Sequence, residues 1–405
     1  MKMIAGLDVG NGYVKGKLSI DGEKPILIDL PSTVSYISGK DLDRQPNEAY
    51  MKDFVNKLDA TFVSKGIKPI DEGRVLLGKR AIYSGASQVE FNIDNHEPKC
   101  QDSLSTMLIL ASLASVAIED SFNKGLDLFN GVIKINAGLG IALPIEDYML
   151  YKDQYVETLK GSSHYVHIHN FEKPITVEIN FDDVQVLAEG AAGQYAIGNL
   201  GAGFLQMALD IAREKGFDID KAYTGEILTK AQNTIGIDIG EGTTNFPVFQ
   251  NGDIAIEVSS SINKGYGTVL SNVVAELRNT NFAFESRKDL ADFLLESEDT
   301  LMPNQIRLKA KLMTYVEKEI AIFVRDVIKE YTNIFRKVGV RTDVVYVYGG
   351  GANSVQKYLY KALCDASNLD GMNVPVIYLD SEYSRDLNRN GLYEAASLAE
   401  QARLG

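Results

Sequence analysis

Cysteine is scarce in this sequence of 405 residues, where it occurs only at Cys100 and Cys364. Two cysteines so far apart exclude a disulfide framework as the source of stability, and they are typical of a protein from a reducing compartment. The first residues also lack the charged and apolar pattern of a signal peptide. We therefore expect a cytoplasmic protein.

Basic residues are also fewer than acidic ones. Lysine and arginine together number 41 against 55 aspartate and glutamate residues, which gives a formal net charge of −14. A chain with this balance is not expected to bind the phosphate backbone of DNA or an anionic membrane directly. Any link to nucleic acid would then need an adaptor protein.

Long hydrophobic runs, tandem repeats and proline-rich linkers are also absent. The most apolar stretch, residues 107–117, is too short to span a bilayer and is predicted to be a core helix. With 45% hydrophobic residues, a chain of this length can bury a large core and divide into two or more domains. Because no linker separates them, we expect these domains to be interleaved in sequence.

Two short glycine-containing loops resemble each other and carry the main functional signal. The first, Asp-Val-Gly-Asn-Gly at 8–12, follows the apolar run 4–7, and the second, Asp-Ile-Gly-Glu-Gly-Thr-Thr at 238–244, follows the apolar run 235–237. A strand, an aspartate at its end and a glycine turn whose N–H groups close on a phosphate form a phosphate cradle with a carboxylate that faces magnesium. Two such cradles predict two facing halves with a nucleotide between them.

Periodicity predicts a chain of mixed α/β class. Alternating apolar residues predict three strands over 3–9, 13–20 and 25–30 around the first loop, with Asp21-Gly22 as a hairpin turn. Further along the chain, the patterns predict a helix over 101–119, a strand over 131–142, a strand pair over 173–187, a helix over 188–215 interrupted at Gly201 and Gly203, a strand over 253–259, a helix from about 265, an amphipathic helix over 305–337, a strand over 343–348 and a last helix from about 391.

The functional segments follow a familiar order. The loops at Asp8 and Asp238, a carboxylate at the strand-to-helix joint Glu189 and the triple glycine 349–351 resemble the signature segments of the actin, heat-shock chaperone and sugar kinase superfamily, over nearly the whole chain. Asp8-x-Gly10-Asn11-Gly12-x-x-Lys15 resembles the first phosphate motif of the bacterial actin-like plasmid segregation proteins, the ParM and Alp group. Stretches at 30–32, 75–78, 138–144, 262–265 and 388–391 are similar to the same group.

The resemblance implies an actin-like fold, in which two related ribonuclease-H-like domains surround a nucleotide cleft and each carries a smaller outer subdomain. Domain I would comprise residues 1–189 plus 388–405, with its outer subdomain at about 31–100. Domain II would comprise residues 190–387, with its outer subdomain at about 260–335.

The resemblance also implies a nucleotide site. The phosphate-binding residues would be Gly10, Asn11, Gly12, Lys15, Gly240, Gly242, Thr243 and Thr244, the adenosine-binding residues Gly349, Gly350, Gly351 and Ala352, and the residues that hold magnesium through water Asp8 and Asp238. Several of these have a plainer structural alternative. A lysine in a strand can simply be solvated, an aspartate at a strand end can form a turn, and two threonines can begin the next strand.

Glu189 is the predicted catalytic residue. It follows the apolar stretch 184–188 and opens a helix-like run, at the place where similar family members carry a Glu or Gln that orients the attacking water. A carboxylate within one water of the γ-phosphate can position that water and partly deprotonate it. The structural alternative is a glutamate stabilised by the dipole at a helix N-terminus.

By resemblance, the chain would be a filament-forming hydrolase of ATP or GTP that requires Mg²⁺. It would associate with itself head to tail and segregate plasmid DNA through a DNA-binding adaptor of ParR type. One alternative is a small-molecule kinase of the same superfamily, for which we find no distinct extra base, although Asp8 could serve. A chaperone-like ATPase would need a peptide-binding domain beyond residue 391, and a membrane partner would need an amphipathic terminal helix; we expect neither.

Overall fold

The computed structural model describes residues 1–38, 46–92, 98–278, 280, 282, 284, 286–379, 381–384 and 386–404. The chain forms two compact units of mixed α/β structure, the first made of residues 1–196 with 386–405 and the second of residues 197–385. The domain boundaries at 189/190 and 387/388 and the two outer subdomains stay predictions. Parts of both predicted outer subdomains, 39–45 and 93–97 in one and 279, 281, 283 and 285 in the other, lie outside the described residues.

The strands of the described chain, in order, are β1 (Lys2–Val9), β2 (Tyr13–Ile20), β3 (Ile26–Pro31), β4 (Thr33–Tyr36), β5 (Asp59–Val63), β6 (Arg74–Leu77), β7 (Gln88–Glu90), β8 (Val132–Leu143), β9 (His164–Ile168), β10 (Ile175–Ala188), β11 (Thr234–Ile239), β12 (Thr244–Phe246), β13 (Val248–Gln250), β14 (Asp253–Ile254), β15 (Ser260–Ile262), β16 (Val344–Tyr348), β17 (Asn368–Leu369), β18 (Met372–Asn373) and β19 (Val376–Tyr378).

The helices of the same residues are α1 (Glu48–Met51), α2 (Lys79–Ile82), α3 (Ser103–Asn123), α4 (Ile145–Lys160), α5 (Ala191–Asn199), α6 (Gly201–Glu214), α7 (Gly225–Leu228), α8 (Tyr266–Leu277), α9 (Arg287–Leu295), α10 (Pro303–Val338), α11 (Ala352–Ala366), α12 (Ser381–Ser384) and α13 (Leu387–Leu404). Short 3₁₀ turns occupy Phe54–Lys57, Pro69–Asp71, Lys99–Gln101, Glu298–Thr300 and Gly339–Arg341.

The first unit contains one mixed sheet, whose described strands follow the order β3-β2-β1-β8-β10-β9-β5-β6-β4-β7. Strands β1, β2 and β3 pair antiparallel, which confirms the predicted three-stranded meander. The turn between β2 and β3 has positive φ at both Asp21 and Gly22, as a tight hairpin turn requires. Strands β1, β8 and β10 run parallel, so their carboxyl ends meet at one edge of the sheet.

The strand pair predicted over 173–187 is wrong, because residues 175–187 belong to the single strand β10. Its register against β8 shifts between Phe181 and Asp183, so Asp182 forms a β-bulge. A bulge displaces the alternation of inward and outward side chains by one residue. The sequence of one bulged strand therefore has the pattern of two shorter ones.

Helices cover both faces of this sheet. The core on one face contains Ala5 and Leu7 of β1 together with the side chains of α3. Gly6 lies between them and points to the other face, where a Cβ atom would stand 2.2 Å from the backbone nitrogen of Tyr393 in α13. A Cβ at Gly140 of β8 would likewise stand 2.1 Å from the carbonyl oxygen of Leu392. The absent side chains let α13 lie directly on the sheet.

Helix α3 confirms the predicted core helix. The helix is long and apolar enough to cross a membrane, and its most apolar 18 residues have a mean hydropathy of 1.4. However, 89% of this 18-residue stretch is buried inside the protein. No other helix in the described part of the chain meets the same criteria. The burial explains the apolar composition of α3.

Other helix boundaries differ from the predictions. The long helix predicted over 188–215 is two helices, α5 and α6, which meet at Gly201, where φ is +76°. The predicted interruption at Gly203 is wrong, because this residue lies inside α6. Helix α13 begins at Leu387, ahead of the predicted position near 391. Helix α4 was not predicted, since it buries only Ile145, Tyr155 and Leu159 and has no clear apolar stripe.

The second unit is built around β11. Strands β12 and β13 pair antiparallel with opposite ends of β11, while β16 and then β19 continue the sheet in parallel on its other side. Helices α8, α10 and α11 supply most of the apolar core, and α10 confirms the predicted amphipathic helix over 305–337. The strand predicted over 253–259 is wrong, because β14 ends at Ile254 and β15 begins at Ser260.

Candidate functional site

The two glycine loops have the same local geometry. In the first unit the N–H of Gly10 donates to the carbonyl oxygen of Tyr13 at 3.0 Å, and in the second the N–H of Gly240 donates to that of Thr243 at 2.9 Å. Each turn follows a strand whose last residue but one is an aspartate, Asp8 in β1 and Asp238 in β11. The similarity of the two sequences therefore reflects one structural motif that occurs once in each unit.

The first loop is held in place by Ser32, in the residue stretch after β3. Its hydroxyl donates to the carbonyl oxygen of Gly10 at 2.7 Å, and its N–H donates to that of Gly12 at 2.9 Å. Lys15 lies directly opposite Asp8 in the β1–β2 ladder, so both side chains lie on the same face of the sheet. The loop thus has a fixed backbone with a cation and a carboxylate beside it.

Charged groups surround Asp8. Burial raises the pKa of the Asp8 carboxyl above its usual value; the charge of Lys15 lowers it, that of Glu189 raises it, and those of Lys99 and Arg389 lower it again, with burial dominant. A carboxylate that loses solvation in this way gains from a nearby cation. Asp8 is therefore a carboxyl group that lies near three cationic side chains and one further carboxylate.

Glu189 lies at the strand-to-helix joint where it was predicted. It directly follows β10, and its N–H donates to the carbonyl oxygen of Leu143 at the end of β8 at 2.7 Å. Gly190, with φ +80°, turns the chain before α5 begins at Ala191. Because β1, β8 and β10 end at one edge of the sheet, this buried side chain comes into the electrostatic neighbourhood of Asp8.

Lys99 is a functional candidate that the sequence analysis missed. Its buried ammonium donates to the Glu189 carboxylate and, at 3.0 Å, to the carbonyl oxygen of Val9. Burial lowers its pKa, but the charge and hydrogen bond of Glu189, with Asp8 and Asp147, raise it to above the usual value for lysine. These acidic neighbours favour the protonated form of the amine. A single lysine in a polar segment carries no local pattern that would have predicted this contact.

In the second unit, glycine backbone packs against the loop. Gly349 has φ +95°, and a Cβ there would stand 2.4 Å from Oδ1 of Asp238. The N–H of Gly351 donates to the carbonyl oxygen of Ile239 at 2.8 Å. A Cβ at Gly265 would stand 2.5 Å from the backbone of Glu241. These close approaches leave no room for a Cβ atom, which explains why glycine occupies positions 349 and 265.

Thr244 serves the fold in addition to any ligand. It begins β12, as the structural alternative predicted, and its hydroxyl donates to the carbonyl oxygen of Lys264 at 2.8 Å. Beside it, Arg287 of α9 donates through Nε to the carboxylate of Glu241 at 2.8 Å. The second loop is therefore fixed by α9 and by the segment before α8.

Each unit brings together a different part of the predicted site. The first unit groups Asp8, Gly10, Asn11, Gly12, Lys15 and Glu189, and the second groups Asp238, Gly240, Gly242, Thr243, Thr244, Gly349, Gly350, Gly351 and Ala352. Ala352 is the first residue of α11, and Gly350 is open, because a Cβ added there would have no atom within 4 Å. The binding and catalytic roles of all these residues stay predictions.

The carboxylates fit a magnesium ion that keeps most of its water. Among the described residues, no group of three or more His, Cys, Asp and Glu side chains is close enough to hold a metal by itself. Mg²⁺ typically binds through one or two carboxylates, substrate phosphates and several waters. Single aspartates such as Asp8 and Asp238, each beside a glycine loop, match that donor set.

Two mixed sheets, each with an aspartate and a glycine turn at the end of a central strand, define an actin-like fold. Residues 6–191 match the family model of the N-terminal domain of actin-like proteins, and residues 236–361 match that of the C-terminal domain of the archaeal MreB-like actin homologue. The two models follow one another in the expected order and together cover most of the chain. The chain therefore matches actin-like family models over both an N-terminal and a C-terminal segment.

Solved structures agree with this assignment. An archaeal actin homologue in complex with ADP is 16% identical with a TM-score of 0.59, covering 98% of this chain and 99% of its own. Bacillus thuringiensis ParM with ATP is 14% identical with a TM-score of 0.55, covering 99% of both chains. Apo pSK41 ParM is 18% identical with a TM-score of 0.52, covering 99% of this chain and 98% of its own. No sequence among the curated proteins matches this chain.

These comparisons confirm the predicted actin-like fold and the resemblance to ParM proteins. They do not favour the kinase alternative, because both family models describe actin-like proteins.

Proposed function

We propose that this protein binds and hydrolyses ATP, or GTP, and polymerises into filaments that segregate plasmid DNA. The observation that carries the proposal is the repeated phosphate loop, in which Gly10 and Gly240 close the same turn two residues after an aspartate. Such a turn presents backbone N–H groups to an anion without any side chain in the way. Bacillus thuringiensis ParM, a structural neighbour, was solved with ATP and with ADP.

The residues divide the chemistry among them. The N–H groups of the two glycine loops and the ammonium of Lys15 would bind the phosphates, and residues 349–352 would adjoin the adenosine. Asp8 and Asp238 would hold Mg²⁺ through its waters, and the ion would offset charge on the phosphates. Glu189 would orient the attacking water and accept its proton.

Assembly and cargo form the second part of the proposal. Head-to-tail contacts that do not close into a ring generate an open filament, and nucleotide state would control how well subunits fit it. A net charge of −14 argues against direct binding to DNA, so a DNA-binding adaptor of ParR type would link the filament to the plasmid. The site of action would be the cytoplasm.

Light scattering tests this proposal directly. The purified protein at micromolar concentration, with Mg²⁺, is mixed with ATP, GTP, ADP or a slowly hydrolysed analogue, and the same samples are viewed by electron microscopy. We expect scattering to rise above a critical concentration only with triphosphate, and filaments to appear on the grid. A flat trace at every concentration, despite measurable phosphate release, would rule out the filament while leaving the hydrolase.

The adaptor is tested by sedimentation. Filaments formed with the analogue are centrifuged with plasmid DNA alone, and we expect the DNA to stay in the supernatant because the filament surface is acidic. DNA that pellets with the filaments in physiological salt would contradict the need for an adaptor. A plasmid stabilised by the wild-type gene, but not by a gene encoding the Glu189→Ala variant, would support segregation as the role of the filament.

A further inference from the structure

Lys99 joins two parts of the first unit that are distant in sequence. Its ammonium contacts the carboxylate of Glu189 and the carbonyl oxygen of Val9, each separated from it by 90 residues along the chain. Val9 is the last residue of β1 and directly precedes the first phosphate loop. One buried cation therefore connects the predicted catalytic carboxylate to the backbone that leads into that loop.

The backbone of Lys99 is itself fixed. It begins a 3₁₀ turn after Pro98, and its N–H donates to Oδ2 of Asp147 in α4 at 3.3 Å. Asp102, shortly beyond the turn, accepts from the N–H of Leu104 at 2.9 Å and so caps α3. A long, flexible side chain that starts from a fixed backbone and is buried along its length has few conformations open to it.

The contact also decides where the Glu189 carboxylate can lie. A buried carboxylate is stable only where a cation or several donors face it, and Lys99 supplies a cation at one side. The negative charge of Asp8 is in the same neighbourhood, so without Lys99 the two carboxylates would repel one another. The ammonium therefore acts on the orientation of Glu189 rather than only on the stability of the unit.

We propose that Lys99 is a positioning residue for Glu189, which holds the catalytic carboxylate at a fixed place relative to the first phosphate loop. This inference rests on the proposed hydrolase function. It assigns no contact between Lys99 and the nucleotide. It therefore separates hydrolysis from binding: loss of Lys99 should lower kcat and leave nucleotide affinity almost unchanged.

A double-mutant cycle tests the proposal. Phosphate release and nucleotide affinity are measured for the wild type, Lys99→Met, Glu189→Ala and the double variant. Because small misplacements of catalytic groups are costly, we expect Lys99→Met to lower kcat by about 10- to 100-fold in the wild-type background. In the Glu189→Ala background the same change should alter kcat by less than about twofold, since a residue that acts through another adds nothing once that other is gone.

Two further variants serve as controls. Lys2→Met removes an ion pair with Asp182 and Glu400 at the opposite end of β1 and should leave kcat within about twofold, because those residues lie outside the site. Lys99→Arg keeps the charge but changes the donor geometry, and we expect a folded protein with an intermediate kcat. Thermal unfolding of each variant shows whether it is folded, and Lys99→Arg can complete the same cycle if Lys99→Met is not.

Each outcome is decisive. Equal losses from the Lys99 change in both backgrounds would show that Lys99 acts independently of Glu189 and overturn the proposal. A large loss of nucleotide affinity would place Lys99 in binding instead and overturn it too. If the wild type releases no phosphate from ATP or GTP, the proposed hydrolase function itself fails. If the wild type is active but the effects of the Lys99 and Glu189 changes on kcat are additive, only the positioning role of Lys99 fails.

Discussion

The two glycine loops share one turn but differ in what surrounds it. The loop of the first unit stands among charged side chains, with Lys15 opposite Asp8 and Lys99 bonded to Glu189. The loop of the second unit is approached closely by glycine backbone, because a Cβ at Gly349 or Gly265 would collide with it, and Arg287 pairs with its Glu241. The same turn therefore occurs among charged side chains in one unit and against closely packed glycine backbone in the other.

The difference has a physical basis. Charged groups near a developing charge in the reaction stabilise it only if they are fixed in advance, and the first unit fixes them at the joined ends of parallel strands. Backbone that approaches a loop closely instead limits the conformations of that loop and requires glycine where a Cβ would collide. We therefore expect changes in the first unit to alter chemistry and changes in the second to alter folding and binding.

The largest expected effect is that of Glu189→Ala. Loss of a group that orients and deprotonates water lowers hydrolysis by about 10²- to 10⁴-fold, while nucleotide binding and assembly remain. Phosphate release and light scattering measure the two separately. Glu178→Ala is the matched control, since Glu178 lies in β10, the strand that Glu189 directly follows, and pairs with Lys134 at 3.1 Å. Normal hydrolysis by Glu189→Ala, or loss of nucleotide binding, would contradict the assignment.

Gly349→Ala tests the second unit. A Cβ there would collide with Asp238 Oδ1 at 2.4 Å on a backbone with φ +95°, and we expect a loss of about 2–4 kcal/mol in the free energy of unfolding. Gly350→Ala is the control, because no atom lies within 4 Å of its added carbon. Urea denaturation measures both variants. Equal stability of the two would show that the close approach of Gly349 to Asp238 is not required.

Lys15→Met tests whether the charged side chains around the first loop contribute to nucleotide binding. Removal of one cation from the first loop should weaken nucleotide affinity by about tenfold, or ~1.4 kcal/mol. Lys17→Met offers a control two residues along β2, where the ammonium contacts Oδ1 of Asn390 at 3.1 Å. Fluorescence titration with a labelled nucleotide measures both affinities. If the two variants lose affinity equally, Lys15 has no specific role at the phosphates.

The smallest expected effect concerns the alkylation rates of the two cysteines, one of which lies in each unit. Burial raises the pKa of the Cys100 thiol to about 11, so only about 0.1% is thiolate at pH 8. Cys364 is half-buried and its pKa is also raised by burial. We expect iodoacetamide at pH 8 to label Cys364 slowly and Cys100 more slowly still, with Cys100 labelling accelerating up to about pH 11. Rapid labelling of Cys100 in the native protein, followed by mass spectrometry, would contradict its burial beside α3.

Secondary structure was predictable where local patterns are strong. The strand over 13–20 and the helix over 305–337 follow alternation and helical spacing that survive folding, and the hairpin at Asp21-Gly22 follows from turn chemistry alone. Prediction failed where tertiary contacts override the pattern. The bulge at Asp182 divided one strand into two in the sequence, and α4 buries too few residues to show a stripe.

The sequence by itself determined the two loops, because an aspartate at a strand end and a glycine turn are specified by neighbouring residues. It also placed Glu189 at the end of its strand. Only the tertiary structure decided that Lys99 would meet Glu189 and Val9 and that Gly349 would lie against Asp238. These contacts join residues far apart in the chain, so they depend on which strands the sheet places side by side, and no local pattern of residues encodes that order.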